Sequence, residues 1–256
     1  MMADTIVVDF LARAAREFRR GGWVFTGFHW PVLAGRVAHA LDGAPFTQVF
    51  EAGVSTHGPG RQVATSTTDY PAYADAFGYL GDSASILLAN ARRFDRVVLD
   101  ASNVDIRGRV NSSFIGADRA HPTVRLPGGG GAPDIAGQAR ELVWLCGAPD
   151  LRRFQAEVEH VTAAPGPRTL VRLHTRWGVV RLGDAPVVEE VAPVAGADAF
   201  LAHAEALGAS TASVAERERV TDGERAAAVA VLTEAAARGY QVASRAMQME
   251  TKVEHA

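Results

Sequence analysis

Glu51 lies in Val49-Phe50-Glu51-Ala52-Gly53, a carboxylate among apolar residues where a strand-like run ends. In open parallel sheets, ligands bind beyond the carboxyl ends of the strands. A carboxylate buried there costs several kcal/mol unless it is paired or used. Spacing alone leaves three readings open: a solvated strand-end acid, the partner of an arginine, or a catalytic group. The first two together are the commoner outcome.

A second feature is Pro127-Gly128-Gly129-Gly130-Gly131-Ala132. Glycine tolerates positive φ and lets backbone N–H groups come close to a ligand. Successive N–H groups make a concave anion site, and a helix beginning near Asp134 would add its positive end. Such a cradle suits a phosphate or a developing oxyanion. The dinucleotide pattern G-x-G-x-x-G fails because residue 133 is proline. A flexible crossover loop is the equally weighted alternative.

Gly27-Phe28-His29-Trp30-Pro31 reads as a strand-to-helix turn. His29 can serve there as acid or base, although such a histidine is more often a hydrogen-bonded structural residue. Phe28 and Trp30 read as core. Residues 103–112 are polar and follow a strand, which suggests an ordered loop, with Asp105 and Arg107 forming either a local ion pair or a substrate contact. Cys146 ends a hydrophobic run and reads as a buried, inert thiol. Ser55 with His57 would suggest a hydrolase, but the chain lacks the G-x-S-x-G elbow.

The elements that must position these residues follow from periodicity. Ile6, Val7, Phe10, Leu11, Ala14, Ala15 and Phe18 repeat at helical spacing behind Asp4 or Thr5 as cap, and Gly21-Gly22 ends that helix. Trp23 to Thr26 reads as a short buried strand. Pro31 opens a helix to about Leu41, and Phe46 to Phe50 is a second strand. This opening argues for an α/β fold with an open, mostly parallel sheet flanked by helices. The Ser/Thr/Gly-rich segment over 55–68 is too long for a simple connector and reads as functional or mobile. Residues 96–99 and 142–145 are expected as strands, 103–133 as irregular, and 135–140 as a helix. Further short strands are expected over 158–162, 170–173 and 179–182. Thr221 and Glu224 make a capping box for a helix that runs to about Arg238, before Gly239. The expected organisation is one body over 1–205 and a helical C-terminal extension over 206–256.

Composition removes several function classes. The chain has 256 residues, 48% hydrophobic and 21% charged, which is globular and large enough to hold a core without a disulfide or a metal. One cysteine excludes an internal disulfide and a multi-cysteine zinc site. A formal net charge of -3 and scattered arginines argue against a nucleic-acid partner. Lys252 is the only lysine, so neither a lysine Schiff base nor a lysine-dependent P-loop is expected. The start, Met1-Met2-Ala3-Asp4-Thr5, carries an acid where a secretory leader would carry base. No run approaches the roughly 18 apolar residues of a membrane span, so a cytoplasmic protein away from membranes is expected.

Four blocks, in order, resemble the beta subunit of glutaconate CoA-transferase-like enzymes, within the family I CoA-transferases. Gly22 to Gly27, through Pro31 to Leu41, resembles the family's early strand, glycine turn and proline-started helix. Phe50-Glu51-Ala52-Gly53 resembles the strand-end block whose glutamate is the family's covalent nucleophile. Asn103-Val104-Asp105 with Gly108 and Asn111 resembles its Q-(I/V)-D-x-x-G-N-x-N segment. His121-Pro122 through Arg125-Leu126-Pro127 to Gly131-Ala132-Pro133-Asp134-Ile135-Ala136 resembles its H-P-K-V-R-L-P-G-S-G-G-A block, the most specific of the four. The resemblance spans about residues 5 to 205. His29 departs from it, standing where the family has glycine, and Arg109 replaces the first asparagine of G-N-x-N.

The resemblance implies a CoA-transferase in which Glu51 forms an acyl–glutamyl anhydride and then a glutamyl-CoA thioester. Coenzyme A enters as a substrate carried by an acyl-CoA, and a carboxylic acid is the acceptor. Glu51 and His29 are the catalytic candidates. Gly53, Gly128, Gly129, Gly130, Gly131, Asn103 and Asn111 are the implied oxyanion or substrate-binding positions. An alpha-subunit partner is implied, usually in an α2β2 assembly. Relatives without the glutamate run other acyl-CoA chemistry, so a decarboxylase or hydrolase of the same fold is the alternative.

Overall fold

The computed structural model describes residues 4–74, 76–216 and 218–248; Met1 to Ala3 and Lys252, which entered the sequence reading, lie outside them. The chain divides into two compact units, one of Met1–Val98 with Arg219–Ala256, the other of Leu99–Glu218.

The first unit opens with α1 (Thr5–Phe18), where the Asp4 carboxylate accepts from the amides of Ile6 and Val7. This satisfies two of the donors that a helix start leaves unpaired. The apolar stripe of Val7, Phe10, Leu11, Ala14 and Phe18 is buried, as its spacing predicts. Then follow β1 (Arg20–Thr26), α2 (Trp30–His39), β2 (Ala44–Phe50), β3 (Val54–Thr56), α3 (Tyr70–Ala74), β4 (Gly78–Tyr79) and β5 (Arg96–Asp100). The strand order is β5-β1-β2-β3-β4. β1 is parallel to β2 and β5, as the alternation of helix and strand requires, and β3 and β4 extend the sheet as antiparallel hairpins. Trp30 is buried edge-on against Phe10, with centroids 5.3 Å apart. Two aromatic expectations fail: Trp23, just before the buried run Val24–Thr26, is 38% exposed, and Phe28, in the turn after β1, is 41% exposed.

The second unit contains β6 (Asn103–Asp105), β7 (Val110–Asn111), β8 (Phe114–Ile115), β9 (Val124–Arg125), α4 (Ala132–Ala136), β10 (Glu141–Cys146), β11 (Phe154–Gln155), β12 (Leu170–Thr175), β13 (Gly178–Leu182), β14 (Val187–Val191), α5 (Ala197–Ala206) and β15 (Ala215–Glu216). Its larger sheet runs β15-β14-β13-β12-β10, with β10 parallel to β12 and β13 antiparallel to both its neighbours. The stretch expected to be irregular folds into small ladders, β11-β6-β7 and β8-β9. The helix expected over 135–140 starts earlier and is shorter, because Pro133 suits its first turn and Gly137 closes it. Residues 158–162 form no strand; the pairing moves to an isolated bridge between Ala163 and Val110.

The chain then returns to the first unit as α6 (Asp222–Ala237) and α7 (Gln241–Gln248). Thr221 and Glu224 make the expected capping box. α6 is tied to α1 and α2 by ion pairs: Arg16 and Arg19 to Glu224 at 2.8 and 3.1 Å, Arg225 to Asp9 at 2.8 Å, and Arg36 to Glu234 at 2.9 Å. Within the stretch expected as a helical extension over 206–256, α6 and α7 belong to the first of the two compact units. No helix among the described residues is long and apolar enough to cross a membrane.

Candidate functional site

Thr26 and Phe50 are level at the ends of adjacent parallel strands. Neighbouring strands lie about 5 Å apart, so the turns leaving β1 and β2 begin side by side. Glu51 heads the second turn. The Gly53 amide donates to the Phe50 carbonyl at 2.9 Å, closing a four-residue turn with Glu51 in its second position. The Gly53 carbonyl accepts from Leu80 at 2.7 Å. Gly53 has φ +87, and a Cβ there would stand 1.7 Å from the Gly81 carbonyl oxygen, so this turn requires glycine. Phe50 shares an apolar cluster with Val32 of α2, and Ala52, on the other side of Glu51, packs against that cluster.

Glu51 is half-buried and has no hydrogen bond or ion pair among the described residues. The more buried carboxylates of Asp9, Asp105 and Glu224 are each paired with arginine. Of the three readings left open by the sequence, the arginine partner is absent.

His29 is the N-cap of α2, with φ 62 and ψ -119, and its side chain does not cap the helix. It is the one non-glycine at positive φ among the described residues. Its half-buried ring lies against Phe28, centroids 3.9 Å apart and tilted by 32°, and meets the Tyr240 ring edge-on at 6.4 Å. Glu51, Gly53 and His29 thus share the carboxyl edge of the first unit's sheet.

In the second unit, Asn103, Asn111 and the glycine run form one connected structure. The Asn103 amide donates to the Asn111 carbonyl at 3.1 Å, and its oxygen accepts from Arg153 at 3.0 Å. Asn111 accepts from the Ser113 amide at 3.1 Å and donates to the Phe114 carbonyl at 2.7 Å. Both side chains are buried and hold the loop. The Gly128 amide donates to the Ser112 carbonyl at 2.7 Å, so the glycine run hangs from this loop. That N–H, like that of Gly53, is engaged and is no longer an oxyanion donor. The amides of Gly129, Gly130 and Gly131 have no partner among the described residues. Only five residues long, α4 supplies little of the helix-end field expected of it.

Comparison with known proteins gives this geometry a context. No family model matches the sequence. The chain is 32% identical over 139 residues to a 3-oxoadipate CoA-transferase subunit of Pseudomonas knackmussii, covering 51% of this chain and 50% of that protein. It therefore matches about half the length of this curated relative. Glutaconate coenzyme A-transferase from Acidaminococcus fermentans superposes with TM-score 0.72 over 88% of this chain and 94% of that one, at 18% identity. The fold is that of a CoA-transferase subunit. The decarboxylase AibA/AibB shares it, with TM-score 0.72 over 89% of this chain and 94% of that one, at 24% identity.

Other residues of the chain have structural work. Asp105 is fully buried and pairs with Arg109 at 2.7 Å, not with Arg107, whose amide alone it accepts at 3.0 Å. Burial pushes the Cys146 thiol up to about 11, which keeps it inert as expected. The Ser55 hydroxyl donates to the Gly78 carbonyl at 3.3 Å, while the His57 ring lies 3.4 Å from the Thr47 hydroxyl and stacks on Phe77. Each has a different partner, so no hydrolase pair forms. The sequence reading missed His39. It stacks on Phe46 at 4.1 Å and lies 3.2 Å from the Gln48 side-chain oxygen. Burial pushes its pKa down to about 4; Gln48 opposes the shift, and Arg36 and His57 add to it. With Arg19 and His57 it lines a groove of about 330 Å³ at the end of β2 opposite Glu51. No local pattern marks His39, because the residues its ring meets, Phe46 and Gln48, come from β2. No group of three or more potential ligands for a metal ion occurs among the described residues.

Proposed function

We propose that this chain is the beta subunit of a CoA-transferase that moves CoA between an acyl-CoA thioester and a carboxylic acid. The observation that carries the reading is the Glu51 carboxylate, half-buried at the end of a parallel strand and without a partner among the described residues. The likeness to a 3-oxoadipate CoA-transferase subunit supports it.

In this mechanism a Glu51 carboxylate oxygen attacks the thioester carbonyl carbon. The tetrahedral oxyanion collapses, the carbon–sulfur bond breaks, and CoA thiolate leaves an acyl–glutamyl anhydride. The thiolate then attacks the glutamyl carbonyl carbon and displaces the acyl carboxylate, giving a glutamyl-CoA thioester. An acceptor carboxylate reverses both steps and departs as the new acyl-CoA, and Glu51 is regenerated. Carboxylates are weak nucleophiles, so positioning must supply much of the rate, up to about 7–11 kcal/mol. Each oxyanion donor adds about 3–4 kcal/mol. Among the implied oxyanion or substrate-binding glycines, Gly129, Gly130 and Gly131 keep amides unengaged among the described residues and are the second unit's candidate anion donors. Gly53 shapes the nucleophile's turn, and Asn103 and Asn111 hold the glycine run. An alpha subunit, in an α2β2 assembly, completes the enzyme and excludes the water that would hydrolyse both intermediates.

The test is mass spectrometry of the complex co-produced with its alpha subunit, incubated with candidate acyl-CoAs and trapped with hydroxylamine or borohydride. Modification is expected at Glu51, and Glu51→Gln is expected to lower transfer by about 10³-fold or more. Full transfer by Glu51→Gln sinks the reading. Carbon dioxide, or free CoA released without an acceptor acid, identifies a decarboxylase or a hydrolase instead.

A further inference from the structure

We propose that Asp82 is a positioning residue for the Glu51 nucleophile, locking the segment that holds the Glu51 turn; this rests on the reading that acyl-CoA reacts at Glu51. The links run outward from the carboxylate. The Gly53 amide closes the turn onto the Phe50 carbonyl at 2.9 Å, and the Gly53 carbonyl accepts from the Leu80 amide at 2.7 Å. The Gly81 carbonyl oxygen fills the space that a side chain at residue 53 would need. Glu51 therefore sits in a turn whose far side is set by Leu80 and Gly81.

The segment that carries those two residues has little to fix it from within. β4 is only Gly78 and Tyr79, and it ends the sheet, so among the described strands it pairs with β3 alone. Glycine stands at both ends, at 78 and 81, and Gly81 has φ +131. Glycine has the widest backbone freedom, and so short a strand contributes few hydrogen bonds.

The lock is the next residue. The Asp82 carboxylate accepts from the Ser85 amide at 2.8 Å, and the Ser85 hydroxyl adds a second bond; these donors draw the carboxyl below its usual range. The Asp82 carbonyl accepts from the Ile86 amide at 3.0 Å. A single-turn π-helix follows over Ser85–Ala89, where the Asn90 amide donates to the Ser85 carbonyl at 2.9 Å and the Asn90 side chain to the same oxygen at 3.1 Å. Such turns are rare and frequent at functional sites. Ile86 and Leu87 are buried and anchor it. Ser85, so held, abuts Gly81: a Cβ at 81 would stand 2.9 Å from the Ser85 Cβ. Asp82 thus joins a buried anchor to the two residues that touch Gly53. Its own side chain is exposed and fills no core space, so core packing does not account for it. Misplacing a reacting group by about 1 Å can cost about 10²-fold in rate, so a lock this near the nucleophile's turn acts on the chemical step.

The experiment compares wild type, Asp82→Ala and Asp82→Asn in the complex with the alpha subunit. Asparagine keeps an oxygen that accepts from Ser85, and alanine does not. The probe is whichever of acetyl-, butyryl- and succinyl-CoA wild type turns over fastest. The readouts are the rate constant and the final extent of single-turnover acylation at Glu51, trapped with hydroxylamine, and amide exchange over residues 50–54. Asp82→Ala is expected to quicken that exchange by about tenfold and to slow acylation by about tenfold, with the final extent unchanged. Asp82→Asn is expected to stay within about threefold of wild type in both. A merely structural role would lower the extent, by unfolding part of the sample, and leave the rate constant alone. That result, a wild-type rate constant in Asp82→Ala, or equal losses in the two variants overturns the proposal. If wild type shows no labelling at Glu51 while Asp82→Ala quickens exchange, the nucleophile assignment fails and the hold of Asp82 on the turn stands; unchanged exchange overturns that hold.

Discussion

The amide of Val63 donates to the Glu234 carboxylate at 2.7 Å, across 171 positions of sequence. The other carboxylate oxygen accepts from Arg36 at 2.9 Å, and the same guanidinium donates to the Gly60 carbonyl at 2.9 Å. Arg238, next to the end of α6, reaches Gln62 and lies 3.8 Å from Asp69. A segment whose composition reads as functional or mobile is thus pinned by α6 and the arginine that follows it. Glu234→Ala removes the acceptor and leaves Arg36 with backbone carbonyls alone. We expect amide exchange over residues 61–69 to quicken by about tenfold, reflecting roughly 1–2 kcal/mol of local stability, with α1 unaffected. Exchange rates equal to wild type would show that the loop holds itself.

Gly53 makes a sharper prediction. A methyl group there meets the Gly81 carbonyl oxygen at 1.7 Å and the Tyr79 ring at 2.9 Å, and φ +87 adds strain. The Gly81 oxygen is backbone and cannot swing aside as a side chain would. Gly53→Ala is expected to lower stability by about 2–4 kcal/mol in urea unfolding, several times the effect of a glycine-to-alanine change at an open position. Because the same turn carries Glu51, transfer activity should fall even where the variant is fully folded. Wild-type stability in Gly53→Ala would mean that the β2–β3 turn relaxes freely.

What was legible in the sequence was what depends on neighbours in the chain. The apolar stripe of α1, the Pro31 start of α2, the runs that became β2, β5 and β10, and the Thr221–Glu224 box are all local patterns. The return of residues 219–248 to the first unit was not legible, because it rests on pairs such as Arg16–Glu224 and Asp9–Arg225, more than 200 residues apart. The short ladders of β6 to β9 have two or three residues each, too few for a period to register. At the candidate site, residue types were readable and hydrogen-bond use was not. Whether the Gly53 and Gly128 amides are donors or are already engaged depends on turns that close only in three dimensions.

Asp105 tests the loop that holds the glycine run. It has no solvent exposure, accepts the amides of Arg107 and Arg109 at 3.0 Å each, and receives the Arg109 side chain at 2.7 Å. Removing one partner of a buried pair leaves the other uncompensated. Asp105→Asn turns one acceptor oxygen into a donor facing a cation. We expect a loss of about 3 kcal/mol in urea unfolding. Arg107→Ala, whose side chain is not part of the pair, should change stability by less than about 0.5 kcal/mol. Equal effects from the two would refute the assignment of Arg109 as the partner.

His39 ties stability to pH, with a sign that the geometry fixes. In the unfolded chain its ring takes a proton near pH 6.5, while burial against Phe46 holds the folded pKa at about 4. Above pH 6.5 the ring is neutral in both states and the full stability is present. As pH falls from 6.5 toward 4, the unfolded state binds a proton that the folded state does not, so stability is lost across that window. For a half-buried ring the loss is about 2 kcal/mol. His39→Gln removes this contribution while leaving every carboxylate to titrate as before. Urea midpoints measured at pH 7 and pH 4.5 should therefore separate more in wild type than in the variant, even though the variant is less stable at pH 7 for want of the stacked ring. Equal separations would mean that His39 is as easily protonated in the folded chain as in the unfolded one.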